Sequence, residues 1–168
     1  MSNPRPMLTV YCGLPGSGKT TWRRAHAGGA TVVCLDDIRQ ELTGDAACQD
    51  ENYRVVVTAS SRVRDALARG EDVLVDATNL TRDYRARWVA IANELGVPAR
   101  SVYFACSVED ALAHNALRER RVPDDAILRM ARRVQVPSAT EGFAEQVVVS
   151  PDEVTALVER MRAGEPAP

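Results

Sequence analysis

The chain has 168 residues, of which 45% are apolar and 26% charged, and a formal net charge of −2. This length fits one domain that buries a core without disulfide or metal staples, and the balance excludes disorder over most of the chain. No apolar run approaches the roughly 20 residues that cross a bilayer; Met1–Met7 has no apolar core for a signal peptide, and the slight acidity argues against nonspecific coating of nucleic acid, so a cytoplasmic protein is expected.

Met7–Cys12 (MLTVYC) reads as a buried strand that runs into a glycine-rich turn. A helix is predicted from near Gly18 to about Ala27, ended by Gly28 and Gly29. Thr31–Leu35 is a second strand, and Asp36 opens a short helical segment at Asp37–Leu42. Gln49–Arg69 carries Val55, Val56, Ala59, Val63, Ala66 and Leu67 at helical spacing before Gly70. Asp72–Val75 is a third strand, ending at Asp76, and Thr81–Leu95 an amphipathic helix stopped by Gly96 and Pro98. Ser101–Ala105, the helices Val108–Arg118 and Pro123–Arg133, the strand Gln146–Val149 and the helix Pro151–Met161 follow, with a frayed tail at Ala163–Pro168. This alternation implies a single α/β domain over 1–168, a three-layer sandwich around a mostly parallel five-stranded sheet.

The four cysteines, Cys12, Cys34, Cys48 and Cys106, form no CxxC pair, and His26 and His114 are the only histidines. Reduced, mostly buried thiols are expected rather than a disulfide framework or a zinc site. Of 21 basic residues only Lys19 is a lysine. A coding bias explains the arginines but not the exception. A compact ammonium suits a tight phosphate site that a planar guanidinium does not.

Gly13-Leu14-Pro15-Gly16-Ser17-Gly18-Lys19-Thr20 matches G-x-x-x-x-G-K-[ST] in full, with a strand before it and a helix after it. Glycines let the backbone N–H groups turn toward a polyphosphate, and the helix presents its positive end to the same anion. Lys19 is then expected on the β- and γ-phosphates and the Thr20 hydroxyl on Mg²⁺. Asp36-Asp37-Ile38-Arg39 follows the second strand, at the sheet end where α/β proteins bind ligands. Asp36 is placed to take the proton of an attacking hydroxyl, and Arg39 to hold an acceptor phosphate. The alternative makes an aspartate a helix cap and Arg39 a surface charge. Asp76 is placed to act on Mg²⁺ through water, while Asn79 and Thr81 are either part of that loop's chemistry or caps of the next helix. Arg118–Arg133 holds six arginines against Glu119, Asp124 and Asp125. It reads either as a lid that supplies an arginine to the transferring phosphoryl group or as a solvated charged face; Arg129, Arg132 and Arg133 alternatively meet an anionic acceptor.

Taken together, these motifs resemble the P-loop polynucleotide 5′-kinases, the kinase module of phage and bacterial end-healing enzymes. The matching segments are GLPGSGKTTW at Gly13–Trp22, Asp36-Asp37-Ile38-Arg39-Gln40, Asp76-Ala77-Thr78-Asn79-Leu80, and arginines ahead of Val122-Pro123. They cover roughly residues 7 to 135 in the family's order. The resemblance implies a P-loop NTPase fold of the nucleoside-kinase type with a helical lid at about 118–135. It implies transfer of the γ-phosphate of ATP or another NTP to a 5′-hydroxyl end of DNA or RNA. Asp36 would be the general base and Arg39 the contact to the acceptor's phosphate. The donor would be held by Gly13, Pro15, Gly16, Ser17, Gly18, Lys19, Thr20 and Thr21, with Arg118 and Arg121 from the lid. The span from Asn115 to Val122 is about one residue shorter than the family's usual lid, so Arg118, Arg120 and Arg121 compete for the essential role. No D-x-D-x-T phosphatase motif is present, so 3′-end repair would need a partner such as a phosphatase, and joining a ligase.

A small-molecule P-loop kinase acting on a nucleotide sugar, an antibiotic or a metabolite would share the cradle, the base and the lid. The net charge favours it mildly; the Arg39 and Asp76–Leu80 matches favour the polynucleotide enzyme. A guanine-selective switch needs an N-K-x-D motif, which a chain whose one lysine is Lys19 does not contain. A non-catalytic ATP-binding module is the remaining alternative.

Overall fold

The computed structural model describes residues 5–166. Met1–Pro4, part of the stretch read as lacking a leader's apolar core, and residues 167–168 of the expected tail lie outside the described residues. Five strands form one sheet: β1 (Leu8–Cys12), β2 (Thr31–Cys34), β3 (Val73–Asp76), β4 (Ala99–Phe104) and β5 (Glu145–Val149). Their spatial order is β2-β3-β1-β4-β5, and every pairing is parallel. The helices are α1 (Lys19–His26), α2 (Leu35–Thr43), α3 (Asn52–Ala68), α4 (Arg82–Leu95), α5 (Val108–Ala116), α6 (Asp124–Ala131) and α7 (Pro151–Arg162), with a 3₁₀ turn at Ala139–Glu141.

The strands are continuously apolar because both faces of the sheet are covered. Leu8, Val10, Cys12, Val73 and Val75 point to one face, where they meet Val55, Val63, Trp88 and Ile91 of α3 and α4. Their alternates, Tyr11 and Leu74, point to the other face and pack with Val102, Phe104, Val149, Trp22 of α1 and Val154 of α7. This period-two alternation yields the three layers. A third cluster (Leu14, Leu80, Ala111 and Ile127) joins the glycine-rich turn to α5 and α6.

Several boundaries differ from the sequence reading, each for a local reason. β2 stops at Cys34, which takes the extended N-cap conformation, and α2 starts at Leu35 with Asp36 and Asp37 in its first turn, where the helix dipole favours them. Neither aspartate is the cap. α5 ends at Ala116 and α6 begins after Pro123, leaving Leu117–Pro123 as a non-helical link. Beyond α7 the described tail folds back, with Arg160 donating to the Pro166 carbonyl at 2.9 Å and facing Glu165 at 3.4 Å. All four cysteines are free, but only Cys12 is buried; Cys34, Cys48 and Cys106 are half-buried, contrary to the expectation of mostly buried thiols.

The support under the sheet end is polar. Asn79, at φ 44°, donates from Nδ2 to the Tyr11 carbonyl at 2.8 Å and accepts from Trp88 Nε1 at 3.0 Å. Arg85 is fully buried: Nε and Nη2 each donate to the Glu141 carboxylate at 2.7 Å, and Nη1 donates to the Asn79 carbonyl at 2.9 Å. Asn79 therefore ties β1, the loop after β3 and α4 together and caps nothing. The cap of α4 is Thr81, whose Oγ1 lies 3.4 Å from the Tyr84 N–H.

Candidate active site

β1 delivers the chain into the glycine-rich turn, and the Gly13 N–H donates to the Thr78 carbonyl at 2.9 Å, locking this turn to the loop after β3. Two glycines are required by close packing. Gly16, at φ +83°, would place a Cβ 2.4 Å from the Ala111 carbonyl oxygen of α5. Gly18, at φ +98°, would place one 2.7 Å from Val154 of α7. The turn is thus seated between the helix that precedes the arginine-rich segment and the last helix. His114 Nδ1 lies 2.9 Å from the Gly16 carbonyl, a second tie between α5 and the turn.

Lys19 opens α1, and its Nζ donates to the carbonyls of Gly13 at 2.8 Å and Leu14 at 2.7 Å, with Ser17 Oγ at 3.5 Å. Burial pushes this ammonium down to about 8, with Asp76 pulling it up, Arg118 pushing it further down and Asp36 pulling it up. Pro15 and Ser17 are buried, Thr21 is half-buried, and Thr20 is exposed on the first turn of α1. Asp76 ends β3 buried, its Oδ2 2.8 Å from Arg23 Nη1. Burial holds this carboxyl above the ordinary range, against the pull of Lys19 and Arg23. The neighbouring thiols are poor nucleophiles, since burial pushes Cys12 up to about 12 and Cys34 up to about 11.

Asp36 is exposed, and its two oxygens face two guanidinium groups. Oδ1 accepts from Arg39 Nη1 at 2.7 Å, and Oδ2 lies 3.7 Å from Arg120 Nη2. Arg39 is not a surface charge. It is buried, donates from Nη2 to Asn52 Oδ1 at 3.0 Å and from Nη1 to the Ala46 carbonyl at 3.3 Å, and its Nε is buried without a partner among the described residues.

The six arginines read as a cluster separate into distinct environments. Arg118 is exposed, makes no side-chain hydrogen bond or ion pair among the described residues, and exerts its charge on Lys19. Arg120 faces Asp36, whereas Arg121 pairs with Asp124 at 2.8 Å and Arg129 with Asp125. Arg133 lies over the Tyr84 ring at 5.8 Å. The link that carries Arg118, Arg120 and Arg121 is closed by buried Asn115, whose Nδ2 donates to the Val122 carbonyl at 2.7 Å while its Oδ1 accepts from the Val122 N–H at 3.0 Å.

Sequence reasoning missed Arg23, Asn52 and His114. Arg23 was readable, because it sits one turn after Lys19 on the same face of α1. Asn52 and His114 carry no local signal. A divalent cation fits the donor set present: hard oxygens from Thr20 and from Asp76, whose second oxygen is free of Arg23, beside a phosphate cradle suit Mg²⁺ held largely through water. Among the described residues no helix is long and apolar enough to cross a membrane.

The parallel sheet, the cradle at its strand ends and the lysine within it define the class, a P-loop phosphotransferase fold. The family model described as an AAA domain matches residues 8–137, and the chain belongs to that family, the P-loop kinases that the polynucleotide 5′-kinase resemblance pointed to. Over 144 residues it is 26% identical to a bifunctional polynucleotide phosphatase/kinase of Schizosaccharomyces pombe, covering 81% of this chain and 31% of that protein. A chain in the solved Pnkp1/Rnl/Hen1 RNA repair complex superposes with a TM-score of 0.68 at 23% identity, covering 79% of this chain and 45% of the other. The Mycobacterium tuberculosis APS kinase CysC, solved with AMPPNP and APS, superposes at 0.62 and 17% identity over 95% and 99% of the two chains. The chain spans less than half the length of either the fission-yeast phosphatase/kinase or the matched chain of the RNA repair complex. It carries that family's P-loop kinase domain.

Proposed function

We propose that the protein is a polynucleotide 5′-hydroxyl kinase, acting as a single kinase domain that transfers the γ-phosphate of ATP or another NTP to the 5′-hydroxyl end of DNA or RNA. The observation that carries this reading is Asp36: an exposed carboxylate near Lys19, with Arg39 at 2.7 Å on one oxygen and Arg120 at 3.7 Å from the other. An acceptor that brings a hydroxyl together with a flanking phosphate matches one base between two guanidinium groups. The 26% identity to the fission-yeast phosphatase/kinase supports the same reading.

In this mechanism the backbone of Gly13 and Pro15–Thr21 shapes the cradle, and N–H groups of its turn such as those of Gly16 and Gly18 orient the donor polyphosphate while the Gly13 N–H stays on the Thr78 carbonyl. Lys19 exchanges its carbonyl partners for the β- and γ-phosphate oxygens. Mg²⁺, when bound, neutralises phosphate charge, and Thr20 and, through water, Asp76 would hold it. The acceptor's 5′-oxygen attacks the γ-phosphorus as Asp36 takes its proton. The bond from phosphorus to the bridging β–γ oxygen breaks, and the nucleoside diphosphate leaves. Arg39, fixed by Asn52, positions Asp36 and faces the acceptor phosphate. Arg118, free of side-chain partners among the described residues and near Lys19, stabilises charge on the transferring group. Arg121, held by Asp124, would join the donor site only by exchanging that partner. The segment at 118–135 acts as a lid, and a cytoplasmic place beside a ligase or phosphatase would complete end repair.

A small-molecule kinase is the second reading, favoured by the whole-length likeness to the APS kinase and by the net charge of −2. Transfer of label from γ-labelled ATP to a 5′-OH oligonucleotide, beside its 5′-phosphorylated twin, decides between them. Label on the 5′-OH strand alone supports the polynucleotide reading. No label on DNA or RNA, with ATP still bound, replaces it with the small-molecule reading.

A further inference from the structure

One face of α5 meets the glycine-rich turn at a single residue. Ala111 and His114, one turn apart on that helix, both reach Gly16. A Cβ on Gly16 would stand 2.4 Å from the Ala111 carbonyl oxygen, and His114 Nδ1 lies 2.9 Å from the Gly16 carbonyl oxygen. A carbonyl only accepts, so Nδ1 carries the proton and donates it. His114 itself is exposed in the last turn of α5 and belongs to none of the three apolar clusters. The Gly16 carbonyl and the Ser17 N–H form one planar trans peptide unit, so they point in opposite directions. With the carbonyl drawn outward to His114, the Ser17 N–H is turned into the loop, where it donates to the Leu14 carbonyl at 3.2 Å. Lys19 Nζ donates to that same oxygen at 2.7 Å. The Leu14 carbonyl thus gathers an amide and an ammonium at one point inside the cradle.

We propose that His114 is a positioning residue for the phosphate donor, acting through the Gly16–Ser17 peptide. Its hydrogen bond keeps the Ser17 N–H turned inward beside Lys19 Nζ, so that both donors pass from the Leu14 carbonyl to the same phosphate group. Glycine has little backbone preference of its own, and Gly16 needs an outside contact to hold one peptide orientation. The bond to the carbonyl also polarises the peptide and makes the Ser17 N–H a stronger donor. The inference rests on the reading of the cradle as a nucleotide site and not on the identity of the acceptor.

The test is calorimetric titration with ATP and with ADP, beside thermal melts without nucleotide, for the parent, His114→Ala, His114→Asn and His114→Gln. His114→Ala should weaken both nucleotides by roughly two- to tenfold, the net worth of one hydrogen bond, at a parental melting temperature. Asparagine carries its amide nitrogen where Nδ1 stands, so His114→Asn should restore parental affinity. Glutamine carries its amide where Nε2 stands, so His114→Gln should not. Parental affinity in His114→Ala overturns the proposal. So does rescue by glutamine and not asparagine, which assigns the ring a direct contact through Nε2. Weaker binding accompanied by a lower melting temperature in both His114→Ala and His114→Gln overturns it in favour of a structural role. No binding of either nucleotide by the parent overturns the donor site, and the proposal with it. None of these readouts involves an acceptor, so failure to label an oligonucleotide sinks the 5′-kinase reading alone.

Discussion

Asp36 and Lys19 are charged groups whose surroundings set what each can do. Asp36 lies outside the core, so Asp36→Asn should leave ATP affinity and thermal stability close to the parent's while turnover falls by about a hundredfold or more, the usual contribution of a positioned base. Single-turnover label transfer beside ATP titration checks this, and retained turnover removes Asp36 from the mechanism. Lys19 makes a prediction about pH. Burial lowers its pKa to about 8, so the free protein loses the ammonium as pH rises through that value, well before an ordinary lysine would. ATP affinity should weaken from neutral pH to about pH 9, and Lys19→Met should remove this dependence along with most of the affinity. Calorimetric titration at the two pH values measures both. Lys19, Thr20, Asp36 and Asp76 were legible in the sequence because each stands at a fixed offset from a strand end. Arg39's burial was not, since its partner Asn52 comes from the next helix and no spacing rule links them.

At the scale of elements, the seat of the glycine-rich turn between α5 and α7 is the controlling feature. Gly16→Ala adds a methyl 2.4 Å from the Ala111 carbonyl at a residue with φ +83°, whereas Gly44→Ala meets the same backbone restriction, at φ +74°, with nothing within 4 Å. Gly44→Ala should therefore cost only about 1–2 kcal/mol for the left-handed conformation. Gly16→Ala should cost more and abolish the rise in melting temperature that ATP produces in the parent. Thermal melts of both variants with and without ATP make the comparison, and an intact ATP shift in Gly16→Ala would show that the cradle tolerates displacement from α5. Strands and helices were readable to within a few residues, because apolar runs and glycine stops are local. The ends that moved, at α2, α5 and α6, were set by capping geometry and by the Asn115–Val122 closure, which act through individual hydrogen bonds.

For the whole molecule, the fully buried Arg85 and its partner Glu141 matter most, and no sequence pattern revealed them, because they are 56 positions apart. Burial pushes the Glu141 carboxyl up, but the Arg85 bonds and the Ser138 N–H outweigh it and hold the group below the ordinary 4.5. A carboxylate with a depressed folded value adds stability that is complete above the unfolded value and is lost as pH falls through the folded one. Stability should therefore drop below about pH 4.5. Glu141→Gln should flatten that acid limb and cost roughly 3–5 kcal/mol at neutral pH by leaving Arg85 uncompensated. Urea unfolding at neutral and acid pH tests this, and an unchanged acid limb in Glu141→Gln would assign it to other carboxylates.

Asn115 has a practical consequence for redesign. With one amide it closes both ends of the link that projects Leu117, Arg118 and Arg120, while the frame beneath is held separately by Asn79, Arg85 and Glu141. The link is thus an exchangeable cassette: substitutes that keep Asn115 and Val122 can be grafted without rebuilding the scaffold, whereas grafts across 78–81 would remove the joint on which that scaffold stands.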